Sequence, residues 1–382
     1  MNFILHNPTR IVFGVGSLSK LPKESQSIGI NKPLIVIGQG SVKKNGILDR
    51  VLELLKDFKY AICENIKPNP TVDDVIRGKN IFLENGCDSV IALGGGSVMD
   101  AAKVISLVAK EGFDPWEYTA NKKPKDAYPI ITIPTLSATG SEADPIAVIN
   151  NLNTGEKKSV SGMCLYPKFS IIDPELTITT PLNATVDGFI DIIVHASETF
   201  LSTKDRNVFC DGVTETIVKM VIENGPKIIA NTTDIKARTE IALASTMAMY
   251  GILYPRSGGW PMHAIEHAIS GLYPDISHGS GLAAIFPAIV EWDGERNIER
   301  VKQYIKIFGY EVNTAKEASE VIKNFIVSIK AFKGLKDLGV KKEDLNVIAE
   351  KTLILKGNKE NKLLNIEPMG FNDILNVLER SY

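Results

Sequence analysis

The feature that most constrains this chain is a strand that runs straight into a glycine turn and then a helix. Ser89 to Leu93 (SVIAL) leads into Gly94-Gly95-Gly96-Ser97, and an amphipathic run follows to Lys110. A buried apolar strand that hands over to a helix is the building unit of a parallel sheet, because reaching the next parallel strand requires a crossover. Similar units lie on either side. Pro33 to Ile37 (PLIVI) and Tyr128 to Ile133 (YPIITI) are short apolar or β-branched runs bounded by turn residues. Ser41 to Phe58, Val72 to Asn85 and Ser97 to Lys110 carry helical apolar spacing. This alternation predicts an α/β domain with a parallel sheet covered on both faces. Asn2 to Val15 predicts a further strand or hairpin at the sheet edge.

From about Thr185 the apolar residues recur every three or four positions, through Arg206 to Ala230 and Asp234 to Leu253. That spacing predicts an all-α half, with turns at Asn231, Pro255 and Pro274. Pro174 and Pro181 bracket the change. The expected organisation is a dinucleotide-binding α/β domain over 1–181 and an all-helical domain over 182–382, reasonable for 382 residues.

Three strands of the first half end in small-residue turns: Gly38-Gln39-Gly40-Ser41, Gly94-Gly95-Gly96-Ser97, and Pro134-Thr135 onward to Thr139-Gly140-Ser141. Glycines let backbone approach a ligand, and Ser97 is a candidate cap for a helix whose free N–H groups favour a phosphate. One glycine turn is commonly only a tight turn. Three at the carboxyl ends of parallel strands form a ligand crevice and favour a dinucleotide. The first turn holds no acid to bond a ribose 2′-hydroxyl, and Lys43 and Lys44 follow it, which predicts NADP(H) over NAD(H).

The second half concentrates histidine. Asp191 and His195 stand at i and i+4 in DIIVHASE, as do His263 and His267 in HAIEHAIS, so each pair shares one helix face. Gly271 and Pro274 then interrupt the helix, and a mobile break there would let His278 fold back toward the pair. Four of the five histidines with one aspartate suit a divalent ion bound by imidazole and carboxylate, iron or zinc. HAIEH also matches H-x-x-E-H, a zinc-peptidase pattern with Glu266 as base, but that reading leaves the glycine turns without a purpose. Otherwise Glu266 is a solvated helix position.

Composition excludes several classes. With 43 basic and 45 acidic residues the formal charge is −2, so no basic excess exists to neutralise a nucleic-acid backbone. MNFILHNPTR is poor as a signal peptide, and no run of about 18 apolar residues predicts a membrane span. Cys63, Cys87, Cys164 and Cys210 are scattered without a CxxC pair, which fits a reducing cytoplasm.

Taken together, GQGSVKKNG, IKPNP, GGGSVMDAAK, IPTLSATGSE, YPKFSIIDPELT, DIIVHASE and HAIEHAISGLYPDISHGSGLA resemble the iron-containing alcohol dehydrogenase family. The similarity runs from Phe13 to at least Trp292 and is strongest to the butanol dehydrogenase and broad aldehyde reductase branch. The resemblance implies a dehydroquinate synthase-like fold and interconversion of small primary alcohols and aldehydes with NADP(H). It implies a divalent metal, Fe2+ or Zn2+, on Asp191, His195, His263 and His278, with His267 beside nicotinamide and substrate. Cofactor positions fall on Gly38, Gly40, Ser41, Gly94, Gly95, Gly96, Ser97, Asp100, Thr135, Thr139 and Lys157. A homodimer is the implied assembly. The chain departs from the family by one extra residue in YPDIS and by Leu136 where many relatives carry a second threonine. Lys157 is preferred to Lys158 by its distance to Pro167. A metal- and NAD-dependent polyol or polyol-phosphate dehydrogenase is the alternative; a basic pocket would favour it, yet only Arg256 stands near the metal motif in sequence. A non-catalytic nucleotide sensor is a further class. Trp260 and Tyr254 are candidates to line an apolar substrate pocket, or else helix-packing aromatics.

Overall fold

A computed structural model describes residues 3–120, 122–204, 206–253 and 258–382. Asn2, Tyr254, Pro255 and Arg256, named above, lie outside the described residues. The chain divides into two compact units. A sheet unit comprises His6–Pro181 with Thr233–Thr246, and a helical unit comprises Met1–Leu5, Leu182–Thr232 and Met247–Tyr382.

The sheet unit holds β1 (Arg10–Phe13), β2 (Pro33–Gly38), β3 (Ala61–Ile66), β4 (Ser89–Gly94), β5 (Ile130–Pro134) and β8 (Phe169–Ile172), with β6 (Ile146–Asn151) and β7 (Glu156–Ser161) apart. The six-stranded sheet has the order β1-β8-β5-β4-β2-β3, and its pairings are parallel. Helices α1 (Leu21–Ser27), α2 (Ser41–Lys44), α3 (Ile47–Leu54), α4 (Val72–Glu84) and α5 (Gly96–Glu111) connect the strands. The central strands are apolar throughout because both faces are covered. Leu34, Val36, Val90 and Ala92 join one core with α4 and α5, while Ile35, Ile37, Ile91 and Leu93 join the opposite core with α1 and α3.

Several boundaries move. The helix expected over Ser41 to Phe58 is two, broken where Gly46 adopts a left-handed φ of 74°. The segment from Asn2 contributes one edge strand, β1, paired to β8, rather than a hairpin. The third expected strand starts two residues later than its pattern, at Ile130. The β6–β7 hairpin is antiparallel and was not foreseen.

The helical unit is built on α6 (Leu182–Leu201), α7 (Val208–Ala230), α9 (Pro261–Leu272), α10 (His278–Arg296), α11 (Ile298–Ile305), α12 (Ala315–Ser328), α13 (Leu345–Lys356) and α14 (Phe371–Arg380). The remaining helix, α8 (Ile235–Met249), lies mostly in the sheet unit. α7 starts at Val208, two residues after the expected Arg206, because the Asn207 side chain accepts from Cys210 N and caps it. α6 is buried from Gly188 to Leu201 and packs against α7, α9 and α10. A helix apolar nearly all round, interrupted only by a few polar positions, is a core helix. Those polar positions matter for the chemistry. Among the described residues no helix is long and apolar enough to cross a membrane.

Candidate active site

In the sheet unit the chain leaves β2 for β3 on one side, then adds β4 and β5 on the other. The crevice outside the carboxyl ends of β2 and β4 is therefore a topological switch point, where open α/β sheets bind ligands. Both glycine turns lie there. Gly40 takes φ 112°, which L side chains rarely adopt. A Cβ on Gly96 would stand 2.4 Å from Thr139 Cγ2, so the turns after β4 and β5 pack too closely for a side chain. Gly95, not Ser97, is the residue before the first turn of α5, and no side chain caps it. Ser97 instead lies inside the helix, where its Oγ accepts from Asn69 N. The expected cap is thus corrected, and the N–H groups of the first turn of α5 have no side-chain cap.

Thr135 N donates to Gly94 O, and Thr139 Oγ1 accepts from Ser141 N. Lys157 is buried in β7, whereas Lys158 pairs with Glu156 and lies over Trp116. Asp100 is engaged by protein: Oδ1 accepts from Ser141 Oγ at 2.7 Å and Oδ2 from Val148 N at 2.9 Å. Burial raises its carboxyl to about 6 against the opposing charge of Lys103. Lys103, one turn along α5, is fully buried and donates to Ser141 Oγ, Asp144 Oδ1, Asp144 O and Ile146 O at 2.8–2.9 Å. Sequence reasoning assigned Lys103 no role. Its i+3 spacing from Asp100 was the available signal.

The helical unit brings the histidines together. α6 presents Asp191, His195 and Glu198 on one face, and α9 presents His263, Glu266 and His267. His278 is the first residue of α10, reached by the short segment that follows α9. The start of α10 is held by Asp187, one turn before Asp191, which accepts from Ser277 Oγ at 2.6 Å and Ser280 Oγ at 2.9 Å. Ligand-capable atoms of Asp191, His195 and His263 lie within 4.8 Å of one another. From Asp191 Oδ1 the separations are 3.2 Å to His195 Nδ1, 3.6 Å to His263 Nε2 and 3.6 Å to His278 Nε2. Glu266, His267 and His278 form a second such trio.

The first set fits a cation. Asp191 Oδ1, His195 Nδ1 and His263 Nε2 are buried without a hydrogen-bond partner. Atoms bound about 2.1 Å from one ion at near-tetrahedral angles sit roughly 3.4 Å apart, close to all three separations, and the two at 3.6 Å are too long for a hydrogen bond. Burial raises the Asp191 carboxyl, but His195, His278 and His263 outweigh it and hold the group well below the usual range. Burial pushes His195 down to about 3 despite Asp191. It also opposes the His263 imidazolium, but Glu198 and Asp191 prevail and raise that group to about 10.

Two neighbours were missed or misread. Glu198 Oε2 lies 2.6 Å from His263 Nδ1, and Glu266 Oε2 contacts His278 Nδ1. Glu266 is fully buried, so its reading as a solvated residue is wrong. The histidine contact also makes it a poor candidate for the water-activating base of a peptidase. Trp260 borders the cluster, 6.0 Å from His195 and 5.5 Å from His263 between ring centroids.

Residues 8–174 match the iron-containing alcohol dehydrogenase profile, and residues 185–382 match the C-terminal profile of the same family. The chain belongs to the iron-containing alcohol dehydrogenase family. It is therefore an oxidoreductase of alcohol dehydrogenase type, with the family's divalent metal and nicotinamide cofactor. A probable NADH-dependent butanol dehydrogenase of Bacillus subtilis is 36% identical over 391 residues, covering 100% of this chain and 99% of the relative. The NADPH-dependent aldehyde reductase YqhD of Escherichia coli is 33% identical over 308 residues, covering 79% and 78%. The crystal structure of an NADH-dependent butanol dehydrogenase A from Thermotoga maritima superposes with TM-score 0.94 at 34% identity, covering 100% of this chain and 98% of that one.

Proposed function

We propose that Asp191, His195, His263 and His278 hold one divalent ion, Fe2+ or Zn2+, and that the protein interconverts small primary alcohols and aldehydes with NADP(H). The separations from Asp191 Oδ1 carry the metal reading, because all three lie near the spacing of atoms that share an ion and the two to His263 and His278 are too long for a hydrogen bond. Relatives that act on butanol or on aldehydes support the substrate class.

When bound, the metal supplies positive charge at the substrate oxygen and the nicotinamide supplies or accepts the hydride. Once an ion displaces the proton that His263 otherwise holds, three neutral imidazoles and one carboxylate would offset only one of its two positive charges, which leaves the pocket electrophilic. The turns at Gly38, Gly40 and Ser41 and at Gly94, Gly95, Gly96 and Ser97 would hold the dinucleotide, the uncapped start of α5 supplying N–H groups suited to a phosphate. Thr135, Thr139, Asp100 and Lys157 border it, with Asp100 held in place by Ser141 and Val148. His267, whose ring centroid is 6.3 Å from that of His263 and 5.8 Å from that of His278, passes the proton that accompanies the hydride.

Two variants separate these roles. His263→Ala should fold yet lose both metal and activity. His267→Ala should keep its metal while kcat falls, by about 10²–10⁴-fold for a lost general acid–base group. Metal content and kcat on short aldehydes check both. Full occupancy in His263→Ala overturns the ligand set, and metal loss in His267→Ala moves that residue into it.

A further inference from the structure

The buried contacts of the imidazoles fall into two distance classes. Atoms facing Asp191 Oδ1 stand 3.2–3.6 Å away. On the far side of two rings, Glu198 Oε2 is 2.6 Å from His263 Nδ1, and Glu266 Oε2 touches His278 Nδ1. The wider class leaves room for an ion between its atoms. The closer class does not, since ligands sharing an ion of this kind sit roughly 3.4 Å apart. Glu266 Oε2 therefore stands behind His278, on the Nδ1 side of a ring whose Nε2 faces Asp191. Both glutamates are fully buried, where a carboxylate requires partners.

We propose that Glu198 and Glu266 are positioning residues that hold His263 and His278 with Nδ1 protonated and Nε2 turned to the metal. The inference rests on the ligand set proposed above. An imidazole whose Nδ1–H points at a carboxylate is fixed in tautomer and orientation and is a stronger donor through Nε2. His263 has a full hydrogen bond of this kind. For His278 the Nδ1 contact with Glu266 Oε2 is made without hydrogen-bond alignment. The two supports come from different elements. Glu198 reaches from α6, seven residues after Asp191, and its Oε1 also accepts from Met262 N and His263 N at the start of α9. It thereby caps a helix whose own preceding residue, Trp260, provides no side-chain cap. Glu266 reaches from α9 across to the first residue of α10 and packs over Gly281, where a Cβ would stand 3.0 Å from Glu266 Cγ. Each glutamate joins two ligand-bearing helices, so the metal geometry is set by the same groups that dock them.

The test is Co2+ affinity, measured by chelator competition on wild type, Glu198→Gln, Glu266→Gln and His263→Ala, with the visible Co2+ bands recorded in each. Both glutamine variants should bind about 10–100-fold more weakly and show shifted bands. Metal-free melting temperatures identify any variant that loses affinity only because it misfolds. Glu266→Gln is the cleaner of the two, because Glu198 also caps α9. Affinity within twofold of wild type in a glutamine variant overturns the proposal for that residue, even where His263→Ala has lost binding. Wild type that takes up no Co2+, or His263→Ala that binds normally, overturns the ligand set itself.

Discussion

Asp191, Glu198, Glu266 and Asp293 are carboxyl groups buried in one helical unit, and their surroundings differ. Asp191 faces imidazoles, and the two glutamates stand against imidazole Nδ1 atoms. Asp293 has less help: Oδ1 accepts from Asn365 Nδ2 at 2.8 Å, and Oδ2 has no hydrogen-bond partner. Burial pushes its carboxyl up to about 8; Asn365 and Arg296 oppose the shift and Glu198 adds to it. The native state thus binds this proton more tightly than the unfolded chain does. Stability from this group is full below about pH 4, falls by up to about 1.4 kcal/mol per pH unit as pH rises toward 8, and levels above it. Asp293→Asn keeps the acceptor for Asn365 and carries no charge. Its melting temperature should gain on wild type between about pH 5.5 and 8 and then run parallel, at roughly 2–4 °C per kcal/mol. Parallel curves throughout that range would refute the shift. Among the site residues, the i, i+4 pairs made four positions legible from sequence. Glu198 and Glu266 were not, because a glutamate on an amphipathic helix ordinarily faces water, and only the tertiary packing of α6, α9 and α10 reveals otherwise.

The strand–turn–helix at β2 and α2 decides the cofactor at the scale of an element. Gly40 turns the chain with its left-handed φ, and the exposed residue before it is Gln39 rather than the acid that would favour a ribose 2′-hydroxyl. Lys43, expected to favour a 2′-phosphate, pairs with Glu64 on β3 at 2.6 Å. With Lys43 so engaged, the preference for a 2′-phosphate would rest on Lys44 and Ser41. The kcat/KM for NADPH should exceed that for NADH by about tenfold, equivalent to about 1.4 kcal/mol, and Gln39→Asp should reverse the order. Equal or higher efficiency with NADH in wild type would sink the reading; relatives named for each cofactor exist at similar identity. The elements themselves were readable where periodicity ran long, as in α4, α5 and α7. β3, the β6–β7 hairpin and β8 were not, because β3 and β7 mix charged residues into the strand, β6 ends in two asparagines and β8 has only four residues.

At the scale of the molecule, the proposed ligands are distributed unequally. The metal ligands Asp191, His195, His263 and His278 all fall in the helical unit, while the cofactor residues Gly38 to Ser41, Gly94 to Ser97, Asp100, Thr135, Thr139 and Lys157 fall in the sheet unit. A ligand stabilises the states that contain its site, by RT ln(1 + [L]/Kd), and suppresses the local openings that would break it. Held by the proposed ligands, a metal would join α6 to α9 and the first turn of α10, which lie far from α6 in sequence, so its removal should release cross-links within the helical unit. The sheet is held by the two apolar cores on its faces, which contain none of the metal-binding residues. Amide hydrogen exchange should therefore separate the two ligands. Chelation should speed exchange in α6, α9 and the start of α10 while β2, β4 and β5 remain as protected as before. NADPH added to the chelated protein should slow exchange at the turns after β2 and β4. Loss of protection across β2, β4 and β5 on chelation would show that the metal supports the sheet as well. Unchanged exchange in α6 and α9 would show that no ion is bound by them.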